Sequence, residues 1–405
     1  MSRAFSARKV LDAVQPKGKA AALLGSPTAL LVGLVALSRV LTLEIGALAF
    51  RFLPHAWVQN VPGYFVPASA YWSESLLGVW SHWDGYWYLS IATLGYIGRS
   101  VATAFFPLYP LVVRVFGGVG LSGIFVSLAC FAGGSWLLYR LARREIGDVP
   151  GWYAVLALAL FPSSFFFNAV YPEALVLLLS VASLYLLTEH RYGWAALLAG
   201  VASAASVDGL LLGLPILVAL LRERRPWKEW LSLLLVPLGL LSYMAYLFAR
   251  FGNALTFQVA QQHWGRSLAA PWSTASLAVQ DFWRHLPQLG WHTLFATGEP
   301  LVVISNVWNL VFTLLGLALI YLCIRRLRPE LWTYALVVVV LPLFYPSAGV
   351  PLMSAPRFLL SAWPIFLAAG LFLAEHPRWT RPLLWASVAC GALFIALFAT
   401  SHWVA

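Results

Sequence analysis

The chain has 405 residues, of which 61% are hydrophobic, 15% aromatic and 10% charged, where soluble domains carry roughly 25% charged residues. That balance excludes a soluble globular protein and points to a polytopic membrane protein. The formal net charge is +11, but the basic residues fall in short clusters between apolar runs rather than in one patch, so they report orientation and no nucleic-acid partner is expected.

Residues 1–27 form a basic segment carrying Arg3, Arg8, Lys9, Lys17 and Lys19, expected on the cytoplasmic side. A first membrane helix is predicted over 28–50. Ala47-Leu48-Ala49 resembles a small-residue cleavage site, but the basic leader and the apolar run are both long for a signal peptide. Within this helix Arg39 is a charge near the bilayer centre, expected to face the bundle interior as a packing or donor-cavity residue. Glu44, five positions on and roughly 140° around the helix, is not its direct partner. Further apolar runs predict helices near 121–141, 151–168, 172–188, 231–250, 300–324, 331–346, 357–374 and 383–402. Their length excludes the ten-residue alternation of a β-barrel.

The stretch 193–221 decides the topology. Read as one span, it puts either the Arg140, Arg143, Arg144 cluster or the Arg222 to Lys228 cluster outside, against the positive-inside rule. Two short helices meeting at Ser203-Ala204-Ala205-Ser206-Val207-Asp208-Gly209 keep both inside, along with Arg325, Arg326, Arg328, Arg378 and Arg381. The expectation is therefore an all-α bundle of about eleven transmembrane segments, a single integral-membrane domain over 28–405 in the plasma membrane. The three cysteines, Cys130, Cys323 and Cys390, sit in apolar runs and read as small core hydrophobes rather than a disulfide or metal framework.

This topology throws two long connections, 51–119 and 251–298, to the extracytoplasmic side. Both are rich in Trp, Tyr, Pro and Gly, and long ordered loops in a tightly connected fold are usually functional. The first carries His82-Trp83-Asp84-Gly85-Tyr86-Trp87-Tyr88 and then Phe105-Phe106-Pro107-Leu108-Tyr109-Pro110. If 80–95 is helical, Trp80, Trp83 and Trp87 make one aromatic stripe with Asp84 at its edge, as in an in-plane interfacial helix. A belt of tryptophans gains nothing from a carboxylate beside it. Of the acids able to reach the outer half (Glu44, Glu74, Asp84, Glu173, Asp208, Asp281 and Glu299), Asp84 therefore leads as the catalytic group.

The ordered set of segments resembles the bacterial branch of the PIG-V-like mannosyltransferases, membrane glycosyltransferases of the GT-C class. The resemblance is carried by His82-Trp83-Asp84 with Gly95-Tyr96, by Ala104 to Pro110, by Phe161-Pro162, and by Tyr171-Pro172-Glu173. It continues through Phe251-Gly252-Asn253, Gln261, Trp264-Gly265-Arg266 and Pro356-Arg357-Phe358. It implies a GT-C-like bundle and an inverting enzyme that moves a sugar, typically mannose, from a polyprenyl-phosphate carrier to a hydroxyl of a lipid or glycan outside the cytoplasm.

By that resemblance Asp84 is the catalytic carboxylate, with His82, Trp83, Tyr88, Tyr109, Tyr171, Glu173, Gln261, His263, Arg266 and Arg357 around donor and acceptor. The chemistry suits these residue types: a prenyl phosphate is already a competent leaving group, so the site needs a base for the acceptor hydroxyl and cations for the departing phosphate. Arg357 and Arg266 are the leading cations, ahead of Arg99, Arg114 and Arg284.

Relatives commonly carry an Arg before the Gly of the short-helix hairpin. This chain has Ser206-Val207-Asp208-Gly209 instead, so Asp208 either caps the second short helix or contacts the acceptor. No Asp-x-Asp pair or His cluster marks the outer face, and no cofactor or divalent metal is expected. The expected partners are membrane lipids, the lipid-linked donor and the acceptor, with the protein a monomer. A transporter or flippase of lipid-linked sugars is the alternative, with the 193–221 hairpin as its foothold.

Overall fold

A computed structural model describes residues 27–55, 76–97, 100–290 and 300–404. The basic leader, Glu74, Arg99 and Glu299 lie outside the described residues. The elements in order are α1 (Pro27–Phe52), α2 (Asp84–Leu94), α3 (Leu108–Val115), α4 (Gly120–Ile146), α5 (Asp148–Ala159) and α6 (Glu173–Thr188). They continue with α7 (Tyr192–Ser203), α8 (Val207–Leu211), α9 (Gly213–Arg222), α10 (Trp227–Trp230), α11 (Leu238–Phe251), α12 (Thr256–Ala260) and α13 (Pro271–His285). The last are α14 (Pro300–Arg326), α15 (Pro329–Val340), α16 (Ala355–Ser361), α17 (Pro364–Glu375) and α18 (Pro377–Ala399). Among the described residues there is no β-strand, so this is an all-α polytopic membrane protein.

Among the described residues five helices are long and apolar enough to cross a bilayer: Thr28–Phe52, Gly120–Ile146, Trp227–Phe251, Ser305–Arg326 and Pro377–Ala399. A sixth span is formed if α16 and α17, bent by 89° at their break, are taken together. The remaining apolar helices are shorter. α6, at 16 residues, is about 24 Å long and has buried residues all round, the pattern of a helix held inside a bundle rather than facing lipid.

Two boundaries differ from the sequence expectation because of proline. The helix expected over 151–168 stops at Ala159, since Pro162 cannot donate to the helical ladder and restricts Phe161; a 3₁₀ turn at Ser164–Phe167 follows. The helix expected over 357–374 breaks before Pro364 for the same reason. The 193–221 stretch does form short helices, α7 turning into α8 and α9. The close approach needs Gly209, where a Cβ would lie 2.1 Å from the Ala202 carbonyl carbon.

Ion pairs locate the arginine clusters at one end of the bundle. Arg144 pairs with Glu189, Arg328 with Glu145 at 3.2 Å, Arg222 with Glu330 at 2.7 Å, and Arg326 with Glu375 at 2.8 Å. Apart from the buried Glu330, these pairs lie at partly exposed positions, where they add little stability, but they tie the ends of α4, α6, α9, α14 and α17 into one layer. Since α6 runs away from Glu173 toward this layer, Glu173 sits at the opposite end, about 24 Å off.

Arg39 packs inside the bundle. Its Nη1 donates to the Ser164 carbonyl at 2.7 Å and to Asn168 Oδ1 at 3.1 Å; Nη2 donates to the Ala159 carbonyl at 2.5 Å and to Ser164 Oγ at 3.1 Å. The guanidinium thus satisfies carbonyls freed where α5 ends, a requirement that water cannot meet at this depth. Glu44 is exposed and takes no part in this.

The expected tryptophan stripe does not form. Trp83 interrupts the helix with φ 55 and ψ −120, leaving Trp80 in a separate 3₁₀ turn, Gly78–Ser81. The three rings point to different neighbours: Trp80 stacks on Phe398, Trp83 meets Trp403 edge-on, and Trp87 stacks on Phe105. α2 buries Asp84, Gly85, Trp87, Tyr88, Ile91 and Ala92, so it is packed into the bundle. α3 is the amphipathic helix of this loop, with Tyr109 and Val113 buried while Leu111, Arg114 and Val115 are exposed.

Candidate active site

Two breaks in regular structure bring the central pair together. Asp84 is the first residue of α2, just after Trp83. Arg357 lies in the first turn of α16, after Ser354 at φ 72. Non-glycine residues with positive φ are uncommon and cluster at functional sites. Arg357 Nη1 donates to Asp84 Oδ2 at 2.7 Å, and Arg357 Nε lies 2.9 Å from Glu173 Oε1. All three side chains are at least about five-sixths buried, Arg357 being the most exposed at 16%. One guanidinium therefore faces two carboxylates from three separate elements.

Aromatic rings form the walls. The Arg357 guanidinium carbon stands 5.5 Å from the Tyr171 ring centroid, 5.7 Å from Phe166 and 5.9 Å from Phe358, a cation–π setting that desolvation strengthens. The Tyr171 hydroxyl accepts from the Asp84 backbone N–H at 3.0 Å and donates to the His82 carbonyl at 3.1 Å. Burial, then the Glu173 and Asp84 carboxylates, pushes the Tyr88 hydroxyl well above the usual phenol range, so Tyr88 meets any ligand as a neutral hydroxyl. Tyr109 packs beneath, its ring 5.4 Å from Tyr88 and its hydroxyl hydrogen-bonded at 2.8 Å to Ser127 and donating at 3.0 Å to the Gly123 carbonyl.

The second long loop supplies a second cation. Residues 264–269 are stitched to the strand-like stretch before α16: Ala348 N–H donates to the Gly265 carbonyl at 3.1 Å, and Ser267 N–H to that of Pro346 at 3.3 Å. This sets the Arg266 guanidinium 5.6 Å from the Phe358 ring. Arg266 makes no ion pair or side-chain hydrogen bond among the described residues. Burial first, and then Arg357, lowers its guanidinium to about 10, the signature of a cation held beside another cation in a poorly hydrated place. Trp264 carries the loop onto the first one, its ring edge-on to Phe105 at 5.5 Å.

Other sequence candidates lie apart from this cluster. His263 is exposed, its ring against Trp264 at 5.1 Å, and Gln261 contributes its carbonyl to the Arg266 N–H; neither side chain is brought to the carboxylates. His82 is buried with Nδ1 donating to the Phe398 carbonyl at 3.2 Å. Burial, and to a lesser extent His55, lowers its imidazole to about 4, so it is neutral.

Asp208 does not cap α8; Ser206 does, accepting from the Asp208 N–H at 3.2 Å. The Asp208 carboxylate is hydrogen-bonded to Ser361 on α16 and to Ser206, within electrostatic reach of Arg357. Sequence reading gave no signal for Ser361 or for Trp403 beside Trp83. Among the described residues no group of three His, Cys, Asp or Glu side chains is placed to hold a metal ion.

The sequence profile of the family described as dolichyl-phosphate-mannose-protein mannosyltransferase matches residues 102–248. Human GPI alpha-1,6-mannosyltransferase 2 is 31% identical over 194 residues, 43% of this chain and 38% of its own. GPI mannosyltransferase 2 of Drosophila melanogaster is 30% identical over 176 residues, 38% of this chain and 37% of its own; that of Drosophila pseudoobscura pseudoobscura is 34% identical over 115 residues, 25% of each. The matched region thus spans at most about two fifths of these relatives' length. Among solved structures, ArnT from Cupriavidus metallidurans bound to undecaprenyl phosphate aligns with a TM-score of 0.48 at 14% identity, over 91% of this chain and 76% of that one. The sequence matches bear out the resemblance to the PIG-V-like mannosyltransferases.

Proposed function

We propose that this membrane protein is an inverting glycosyltransferase that moves a sugar, mannose in the first instance, from a polyprenyl-phosphate carrier to a hydroxyl of a lipid or glycan. The observation that carries the proposal is the Asp84–Arg357–Glu173 cluster with Arg266 beside it: a base and two cations gathered at the end of the bundle opposite the arginine clusters. With those clusters cytoplasmic, the site is extracytoplasmic. The mannosyltransferase relatives support the sugar and the reaction class.

In the step we assign, the acceptor hydroxyl gives its proton to the Asp84 carboxylate as its oxygen attacks the anomeric carbon. The bond from that carbon to the phosphate oxygen breaks on the opposite face, and the electron pair leaves with the prenyl phosphate. Arg357 and Arg266 stabilise the departing phosphate, Arg guanidinium being suited to forked contact with phosphate oxygens. Glu173 keeps Arg357 anchored as its Asp84 contact is exchanged for the donor. General-base and electrostatic assistance of this kind contribute about 10²–10⁴-fold each. No divalent cation is needed for this step.

The test is transfer by purified protein in detergent from mannosyl-phosphoryl undecaprenol to lipid and glycan hydroxyls, with EDTA present. Asp84→Asn is expected to reduce transfer by about 10²–10⁴-fold while the protein stays folded; near-normal transfer by that variant removes Asp84 from the mechanism. The broken helix α16–α17, which carries Arg357, also suits a flippase of lipid-linked sugars. Flipping requires sealed vesicles, so product formed in detergent decides for transfer.

A further inference from the structure

Trp83 alone turns the extended backbone of His82 into the helix that begins at Asp84, and it does so at φ 55 and ψ −120, a region that L side chains rarely adopt. Such a conformation persists only where its surroundings over-determine it. On one side Tyr171 does this, its hydroxyl bracketing Trp83 through the Asp84 N–H and the His82 carbonyl.

On the other side stands the segment after α18. That helix ends in a left-handed turn at Ser401, φ 64. The Ser401 N–H donates to the Phe398 carbonyl at 3.1 Å and the His402 N–H to the Leu397 carbonyl at 2.8 Å, the paired bonds of a Schellman turn. The same Phe398 carbonyl accepts from His82 Nδ1, so the turn is fastened to the loop that carries Asp84. Chain reversal there brings Trp403 edge-on to Trp83, ring centroids 5.1 Å apart and planes at 87°. Thr400, His402 and Val404 are each at most 1% exposed, so the segment is packed in place.

We infer that Trp403 is a positioning residue for Asp84: its ring edge holds Trp83 in the strained conformation that aims the Asp84 carboxylate at Arg357 and the reacting centre. The inference rests on the assignment of Asp84 as the base, but it has a readout of its own. Neither indole N–H has a hydrogen-bond partner among the described residues. The contact is therefore one of ring shape, which phenylalanine keeps and alanine or leucine loses.

The experiment uses the full chain in detergent, as wild type, Trp403→Phe, Trp403→Ala and Trp403→Leu. Two quantities are read: hydrogen–deuterium exchange at the backbone amides of Asp84 to Tyr86, with α6 as the internal reference, and steady-state transfer from mannosyl-phosphoryl undecaprenol. The alanine and leucine variants are expected to exchange at least about tenfold faster at those amides with α6 unchanged. Their kcat falls on the order of 30- to 100-fold, the cost of a carboxylate displaced by about an ångström, while KM for the donor stays within about threefold; phenylalanine restores both. Unchanged exchange in the alanine and leucine variants overturns the inference, and so does a phenylalanine variant as impaired as alanine. If wild type itself transfers nothing, the proposed function fails, and the exchange data still decide whether Trp403 holds Trp83.

Discussion

Removing Arg357 tests the site most directly, because its two carboxylate partners stay behind. With Arg357 in place, Asp84 and Glu173 are 13% and 7% exposed as side chains, so Arg357→Ala leaves two carboxylates in a largely buried place. Breaking a buried pair by deleting one partner costs about 3–5 kcal/mol, mainly because an uncompensated charge is left behind. The penalty should therefore be largely recoverable by removing charge rather than by restoring the cation. Adding Glu173→Gln to Arg357→Ala is expected to return about 1–3 kcal/mol, a coupling of the size found between residues in direct contact. Glu173→Gln alone is expected to cost about 1–2 kcal/mol, since the guanidinium keeps Asp84. The assay is the unfolding equilibrium in mixed detergent and SDS micelles, followed by tryptophan fluorescence, on the two single variants and the double. A double variant no more stable than Arg357→Ala would refute the reasoning, because Glu173 would then not depend on Arg357 for its compensation.

Two further outcomes follow from buried groups away from the reacting centre. His82 is held neutral, with its imidazole lowered from 6.5 to about 4 by burial, so the unfolded chain binds more protons than the folded one between those values. Its contribution to stability is complete above pH 6.5 and is lost as the pH falls toward 4, by about 3 kcal/mol in all; His82→Leu should flatten that acid limb in unfolding midpoints measured from pH 7.5 to 4.5, and an unaltered limb would refute the assignment. Arg39→Met should deprive the Ser164 carbonyl and Asn168 Oδ1 of their Arg39 donor, while Ser164 Oγ still serves the Ala159 carbonyl; the expected cost is about 1–3 kcal/mol and a lower detergent melting temperature, whereas Arg39→Lys, with three donors and no fork, should recover less than half of the loss.

Much of the scaffold was legible because its signals are local. Apolar run length marks the long helices, and the sign of the flanking charges forces the 193–221 stretch into short helices. Proline was the signal under-read: Pro162 and Pro364 both sit in runs apolar enough to pass as spans, and both break them. Asp84 stood out because a carboxylate in an aromatic run has no packing reason to be there. Glu173 and Arg357 were legible as candidates, but not as its partners. Their convergence depends on how α6 and α16 pack, and that spacing of nearly two hundred residues leaves no trace in periodicity.

Two expectations turn out differently, for different physical reasons. The tryptophan stripe assumed a regular helix through Trp83, and the capping role for Asp208 assumed that the acid, not Ser206, would meet the free N–H groups of α8. At Trp83 a local rule gave way to a tertiary constraint at the site itself, whereas at the cap of α8 the local rule held, Ser being a preferred N-cap. Trp83 leaves the helical region at the residue before Asp84; Ser206 takes the cap of α8, and the Asp208 carboxylate bonds both Ser206 and Ser361. Departures from local preference are expected where surrounding structure bears their cost in return for chemistry. That the departure at Trp83 falls directly beside an acid paired with the central arginine is the geometric reason for taking Asp84 and Arg357 as the candidate site.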